Sequence, residues 1–174
     1  MNRVTIRIDL SPSSVAKAIR DVEAFKKQML DRTELLRERV AKRLAEQADS
    51  GFRRAVIDDL LQGGGRDAQV RVSVENRKGI SVVLASGEDA VWAEFGAGVF
   101  HNGSAGASPH PKGADLGLTI GSYGKGNGSR EVWGFYDESG ELHLTRGTQA
   151  VMPMYNAVKT VCAEIAKIAA EVFR

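Results

Sequence analysis

A single cysteine, Cys162, leaves the chain unable to form an internal disulfide, and a reducing compartment fits. There is no apolar run near the ~20 residues that a membrane helix requires. The opening MNRVTIRIDL is too often interrupted by polar side chains to read as a signal peptide. The expectation is a soluble, cytosolic protein. Charge of one sign is also scarce: 24 Lys and Arg against 22 Asp and Glu leave +2. That balance does not demand nucleic acid or a membrane as partner. Histidine occurs three times, and no internal repeat is visible.

What is present is ordinary in amount: 174 residues, 43% apolar and 26% charged, enough for one domain with a core that needs no staples. The oddity is the 19 glycines.

Helical patterning fills the first third. Residues 3–9 alternate weakly and predict a short strand. Ser11-Pro12 then reads as an N-cap followed by proline at the first helical position. Val15, Ala18, Ile19, Val22, Phe25 and Met29 form one apolar stripe. Asp31 and Glu34 have capping-box spacing, so a second helix or a kinked continuation is expected. It would turn Leu36, Val40, Leu44, Ala48, Phe52, Val56 and Leu60 inward. Its arginines lie mostly outside that stripe, as on a solvated face.

After Gly63-Gly64-Gly65 the period becomes two. Val70, Val72 and Val74 predict a half-buried strand, Asn76 to Gly79 a turn, and Ile80 to Ala85 a returning strand. Ala90 to Phe95 reads as a third strand, with Trp92 and Glu94 on one face and Val91, Ala93 and Phe95 on the other. From 96 to 130 glycine, serine, alanine and proline dominate. A connection beyond ~12–15 residues is functional or unstructured. Glu131 to Tyr136 and Leu142 to Thr145 predict a hairpin. A helix from Pro153 would bury Met154, Ala157, Val158, Val161, Ile165, Ile168, Ala169 and Val172, with Cys162 among them. The expected class is α+β: residues 1–62 mainly helical, 69–147 an antiparallel sheet with the loop 96–130, and 150–173 a C-terminal helix packed on the sheet.

Tests for catalytic motifs fail. In GLTIGSYGKGNGS, residues 117–129, Lys125 follows Gly124 as in a phosphate loop, but Thr119 stands where the first glycine belongs. Gly126 takes the magnesium-binding hydroxyl position, and Gly126-Asn127-Gly128 blocks the helix that should follow. No Gly-x-Gly here sits between a strand and a helix as a dinucleotide site requires. His101 and His110 are nine residues apart with no cysteine near, and read as exposed loop histidines rather than zinc ligands. Around Ser104 a nucleophile elbow lacks its first glycine, which is Asn102. Glu88 and Asp89 fall in a turn, so they do not pair with Glu94 as catalytic carboxylates.

Two segments stand out: Glu94-Phe95-Gly96-Ala97-Gly98, and Gly147-Thr148-Gln149-Ala150-Val151-Met152-Pro153-Met154. Their order, with a glycine-rich insertion and a strand pair between them and long helices before, resembles the tail-completion or neck proteins of long-tailed bacteriophages and prophages. The likeness covers roughly residues 35–174. Ala97 replaces the commoner threonine, and Val151-Met152 adds spacing before Pro153. The resemblance implies a virion structural protein that forms a ring at the head–tail junction or tail end. It implies no enzyme activity and no cofactor. Its partners would be copies of itself, other connector or tail proteins, and passing DNA without sequence specificity, with no membrane. Trp92, Glu94, Phe95, Gly96, Gly98 and Tyr123 are then candidates for subunit or partner contact. Lys112, Lys125 and Arg130 are candidates for contact with DNA or an acidic partner. The glycine-rich loop has few apolar side chains to offset its ordering entropy, and is expected to order against a neighbour. Two other readings follow from the residues alone: a nucleic-acid-binding module using the arginine-rich helix and basic loop, and a hydrolase using Ser104 or His110.

Overall fold

A computed structural model of the chain describes residues 5–9, 11–61, 70–87, 89–98, 108–113, 115–116, 133–136, 139–145 and 147–174. For 57–61, 97–98, 133–135, 145 and 147–148 it describes the backbone alone. The class is α+β. The first helix, α1, runs from Pro12 to Leu61. The strands β1 (Arg71–Arg77) and β2 (Ile80–Ser86) follow. Next come a short helix, α2 (Ala90–Phe95), and β3 (Ala97–Gly98). The chain ends with β4 (Trp133–Tyr136), β5 (Leu142–Thr145), β6 (Gly147–Thr148) and α3 (Pro153–Val172).

The start of α1 is as its sequence dictates. The Val15 amide donates to the Ser11 carbonyl at 3.1 Å, and the Ser14 amide to Ser11 Oγ at 3.3 Å. Proline at the first position loses no bond, since its amide would be unpaired there anyway. Asp9 accepts from the Ser11 amide at 2.9 Å and from the Ser11 hydroxyl, and the hydroxyl bond chiefly lowers its pKa. Residues 5–9 form no strand. Residues 5–7 lie beside Ser14, Lys17, Ala18 and Asp21 of α1. Asp31 and Glu34 start no new helix, because nothing stops the first one. No proline or glycine interrupts residues 13–50, and the Thr33 hydroxyl bonds back to the Met29 carbonyl at 2.8 Å, as within a continuous helix.

Among the described residues the strands form three two-stranded antiparallel ladders rather than one sheet: β1–β2, β3–β6 and β4–β5. In the first, Arg77 faces Ile80 across a two-residue turn closed by Gly79 at φ 79°. One face of this hairpin packs on α1, where Arg37 Nε donates to Ser81 Oγ at 3.1 Å.

The last helix packs mainly along α1, antiparallel to it. Arg43 grips Glu164 with bonds of 2.8 and 3.1 Å, and Gly51 meets Pro153. The close approach needs small residues. A Cβ on Gly51 would lie 3.0 Å from Pro153 Cβ, and Ala41, Ala48 and Ala157 are buried. Because α1 covers one face of α3, the expected stripe is too wide. Ala157, Val161 and Val172 are buried, whereas Val158, Cys162 and Ile165, on the adjoining flank, are exposed. On α1, Ala48 and Phe52 are buried as expected, but Val15, Ile19 and Val22 are exposed. Phe52, 3% exposed, joins Ala90 and Ala93 in a core also lined by Val70, Val72, Ala85 and Met154. Among the described residues no helix is long and apolar enough to cross a membrane.

Two outcomes are expected. Phe52→Ala opens a cavity where α1, α2 and the hairpin meet, and lowers stability in urea unfolding by about 3–5 kcal/mol. Arg43 holds the Glu164 carboxyl below the usual carboxylate range, chiefly by hydrogen bonding to it. The stabilisation is therefore present at neutral pH and is lost as pH falls through the lowered folded-state value. The melting-temperature gap between the native chain and Glu164→Gln should close on acidification below about pH 4.

Candidate functional site

The two segments singled out in the sequence meet. Ala90 to Phe95 is a helix, not the expected third strand. The Ala93 amide bonds to the Asp89 carbonyl at 2.9 Å and the Gly96 amide to the Trp92 carbonyl at 2.8 Å. Alternation at Val91, Ala93 and Phe95 gave the strand reading. The spacing that the fold uses is Ala90, Ala93 and Glu94, all buried on one helical face. Gly96 ends the helix at φ 78°, a conformation that a side chain would strain. The chain then enters the β3–β6 ladder, where Ala97 faces Thr148 and Gly98 faces Gly147.

From that ladder the second segment returns over α2. The amides of Val151 and Met152 both donate to the Ala93 carbonyl, at 2.9 and 3.2 Å. Met152 holds the left-handed φ of 57° and offers no side-chain cap to α3. Pro153 has no amide. The first turn therefore presents the Met154 and Tyr155 amides, and the Glu94 carboxylate accepts both: Met154 to Oε2 at 2.7 Å and Tyr155 to Oε1 at 2.8 Å. A carboxylate at a helix N-terminus satisfies orphan donors and meets the positive end of the dipole. Glu94 does this from 60 residues away, while only 6% exposed.

His110 completes the cluster. It is 7% exposed, which overturns the exposed-loop reading. Its Nδ1 accepts the Lys112 amide at 3.0 Å, which leaves the proton on Nε2, 3.2 Å from Glu94 Oε1. The ring lies 4.4 Å from Phe95 and edge-on to Tyr155 at 5.3 Å, centroid to centroid. Ser108 donates its hydroxyl to the Phe95 carbonyl and accepts the His110 amide at 3.2 Å. Gly113 closes the turn, because a Cβ there would lie 2.5 Å from Ser108 Cβ. So residues 108–113, within the loop expected to order only against a neighbour, are fixed by the chain itself. The anchor is polar and aromatic, so the scarcity of apolar side chains in this loop gives no sign of it.

Chemically, this cluster is occupied. Both imidazole nitrogens and both oxygens of Glu94 have protein partners. Neither imidazole nitrogen is left to take a proton from a substrate, so the hydrolase reading gains no base from His110. Ser104 and His101 lie outside the described residues, and His143 is exposed on β5. Among the described residues no group of three potential metal ligands occurs.

The candidate contact residues divide. Glu94 and Gly96 are buried in the chain's own fold, and Trp92 and Phe95 are half-buried. Gly98 lies in the β3–β6 ladder, and Lys112 is exposed. Tyr123, Lys125 and Arg130 lie outside the described residues, as does the whole of GLTIGSYGKGNGS. Of the arginines on α1, Arg37, Arg43 and Arg53 are engaged by Glu34, Glu164 and Asp49. No protein family, curated protein or solved structure matches the chain.

Glu94→Gln keeps the shape but turns one acceptor into a donor facing a helix amide. A stability loss of about 2–3 kcal/mol is expected in denaturant titration. Faster hydrogen exchange at Met154 and Tyr155 would mark the lost cap, while the C-terminal turns of α3 should be unaffected.

Proposed function

We propose that the chain is a structural subunit of a phage or prophage virion. In this reading it is a tail-completion or neck component at the head–tail junction and assembles as a ring around the DNA channel. The observation that carries the reading is the joint between Glu94 and the first turn of α3. The resemblance rested on two short motifs and their order. Those motifs are the two halves of one device: the glutamate of the first caps the helix that the second opens, and the β3–β6 ladder ties their flanks. A pair of segments held together in this way preserves a shape rather than performing a reaction. In this role the chain is a spacer with fixed faces, and the partners are other connector or tail proteins and its own copies.

The test is assembly. Native mass spectrometry of the purified chain should give a closed oligomer of defined size, and negative-stain images should show rings. The chain should also be retained by tail-tube or portal-side connector proteins expressed with it. A chain that stays monomeric at every concentration and binds none of these proteins would end the reading.

A further inference from the structure

His110 is a buried titratable group to which the assembly reading gives no task. Its two ring nitrogens have opposite duties. Nε2 donates to Glu94 Oε1 at 3.2 Å, and Nδ1 accepts the Lys112 amide at 3.0 Å. An imidazole can do both only while neutral, because both nitrogens of the charged ring are donors. A second proton has one place to go, Nδ1, and there it meets another N–H head on. Charge on the ring and the bond to Lys112 therefore exclude each other.

The surrounding sequence makes that bond hard to adjust. His110 lies between Pro109 and Pro111. Pro111 has no amide, so Lys112 carries the first backbone donor after the ring. Each proline fixes its own φ, which leaves the amide little room to swing aside. The turn closes with the Gly113 amide on the His110 carbonyl at 2.8 Å. The other end of the segment is held differently. Ser108 donates its hydroxyl to the Phe95 carbonyl and accepts the His110 amide at 3.2 Å. Neither bond uses a ring nitrogen. The entry to the turn is thus pinned whatever the charge on the ring, and the exit at Lys112 only while the ring is neutral.

The groups around the ring decide which contact yields. Among the described residues these are the Glu94 carboxylate and the Phe95 ring from α2, the Tyr155 ring from α3, and two cations. Lys159 Nζ lies over the Tyr155 ring, 5.7 Å from its centroid, and Lys112 belongs to the turn itself. Both lysines are exposed, so water and salt screen their opposition to a charged imidazole. Glu94 is 6% exposed and is screened far less. A proton on His110 turns its contact with Glu94 into one between opposite charges in a buried place, which strengthens it. Phe95, with its ring 4.4 Å from the imidazole, also tolerates a cation there. Turning the ring over would restore no acceptor for Lys112 and would forfeit the Glu94 contact. The amide bond is the one that gives way.

We propose that His110 is an acid-operated latch. In the neutral ring it ties the chain at Lys112 down; in the charged ring it lets that end go while staying on Glu94. The released form binds one proton more than the closed form, so release is favoured as pH falls. The helix cap at Met154 and Tyr155 is not part of the movement, because Glu94 keeps all three of its donors. What changes is the path of the chain beyond His110 and the setting of the exposed Lys112, beside which a positive charge appears. The inference goes beyond the virion reading and does not depend on it.

Nuclear magnetic resonance of the full chain from about pH 8 to about pH 5, the range in which histidine titrates, tests it. The ring nitrogens report where the proton sits, and amide exchange, corrected for its own pH dependence, reports each bond. Nδ1 should be bare at the upper end and protonated at the lower. Over the same step the protection of the Lys112 amide should fall about tenfold, as for one lost hydrogen bond, while the His110, Met154 and Tyr155 amides keep theirs. Two variants hold the latch in one state. His110→Asn places an oxygen near the position of Nδ1, so Lys112 should stay protected at every pH. His110→Gln keeps a donor for Glu94 but no acceptor at Nδ1, so Lys112 should be unprotected at every pH. If neither variant folds by circular dichroism, the titration of the native chain decides alone. The proposal is overturned if His110 stays neutral throughout, or if it takes the proton and Lys112 keeps its protection. It is overturned as well if Met154 and Tyr155 lose protection together with Lys112, since the cluster then comes apart as a whole. An acid step at Lys112 that persists in folded His110→Asn would place the switch on another group and also overturn it.

Discussion

One carboxylate fixes how the second half of the chain is arranged. Glu94 takes the two amides that Pro153 and Met152 leave uncapped at the start of α3, and also takes the Nε2 hydrogen of His110. Three segments distant in sequence therefore converge on two oxygens. Burying a carboxylate is costly unless its lone pairs are filled by donors. Here the donors include the positive end of a 20-residue helix. The aromatic rings of Phe95 and Tyr155 beside His110 shield the group from water, which strengthens each of those bonds.

Around that point the packing is organised by small side chains. Gly51 lets Pro153 approach α1, and Ala90 and Ala93 let α2 sit against Phe52. The same economy limits what one copy can bury. A helix of 50 residues has a partner helix of 20, and that partner covers one end. The remainder of α1, the outer strand face and one flank of α3 keep aliphatic side chains in solvent. A chain with this distribution has a firm centre and several unfinished sides.

Where a local signal decided the outcome, it was legible in the sequence. Ser11-Pro12 marked the start of α1, Gly79 the hairpin turn, and Pro153 the start of α3. Period-two valines marked β1 and β2. Failure came where a longer-range contact chose between equal local options. Six residues from Ala90 to Phe95 fit either period, and the buried face was settled by Phe52 and by the returning segment at Val151. Asp31 and Glu34 had capping spacing but no breaker before them. The role of His110 was beyond local reading, since its partners are Glu94, Phe95 and Tyr155 rather than its neighbours in a glycine-rich stretch. The clue available was chemical: an unexplained glutamate between Ala93 and Phe95, and a helix opening on Met-Pro with no side chain able to cap it.

The β3–β6 ladder also has a topological effect. By pairing Gly98 with Gly147 it makes the chain between them a closed excursion whose two ends are pinned side by side. Once such ends are joined, lengthening the excursion costs little, since each doubling adds only about 0.6 kcal/mol of closure entropy. The framework of helices is thus insulated from changes of length in that stretch outside residues 108–113, whose Ser108 and His110 hold Phe95 and Glu94.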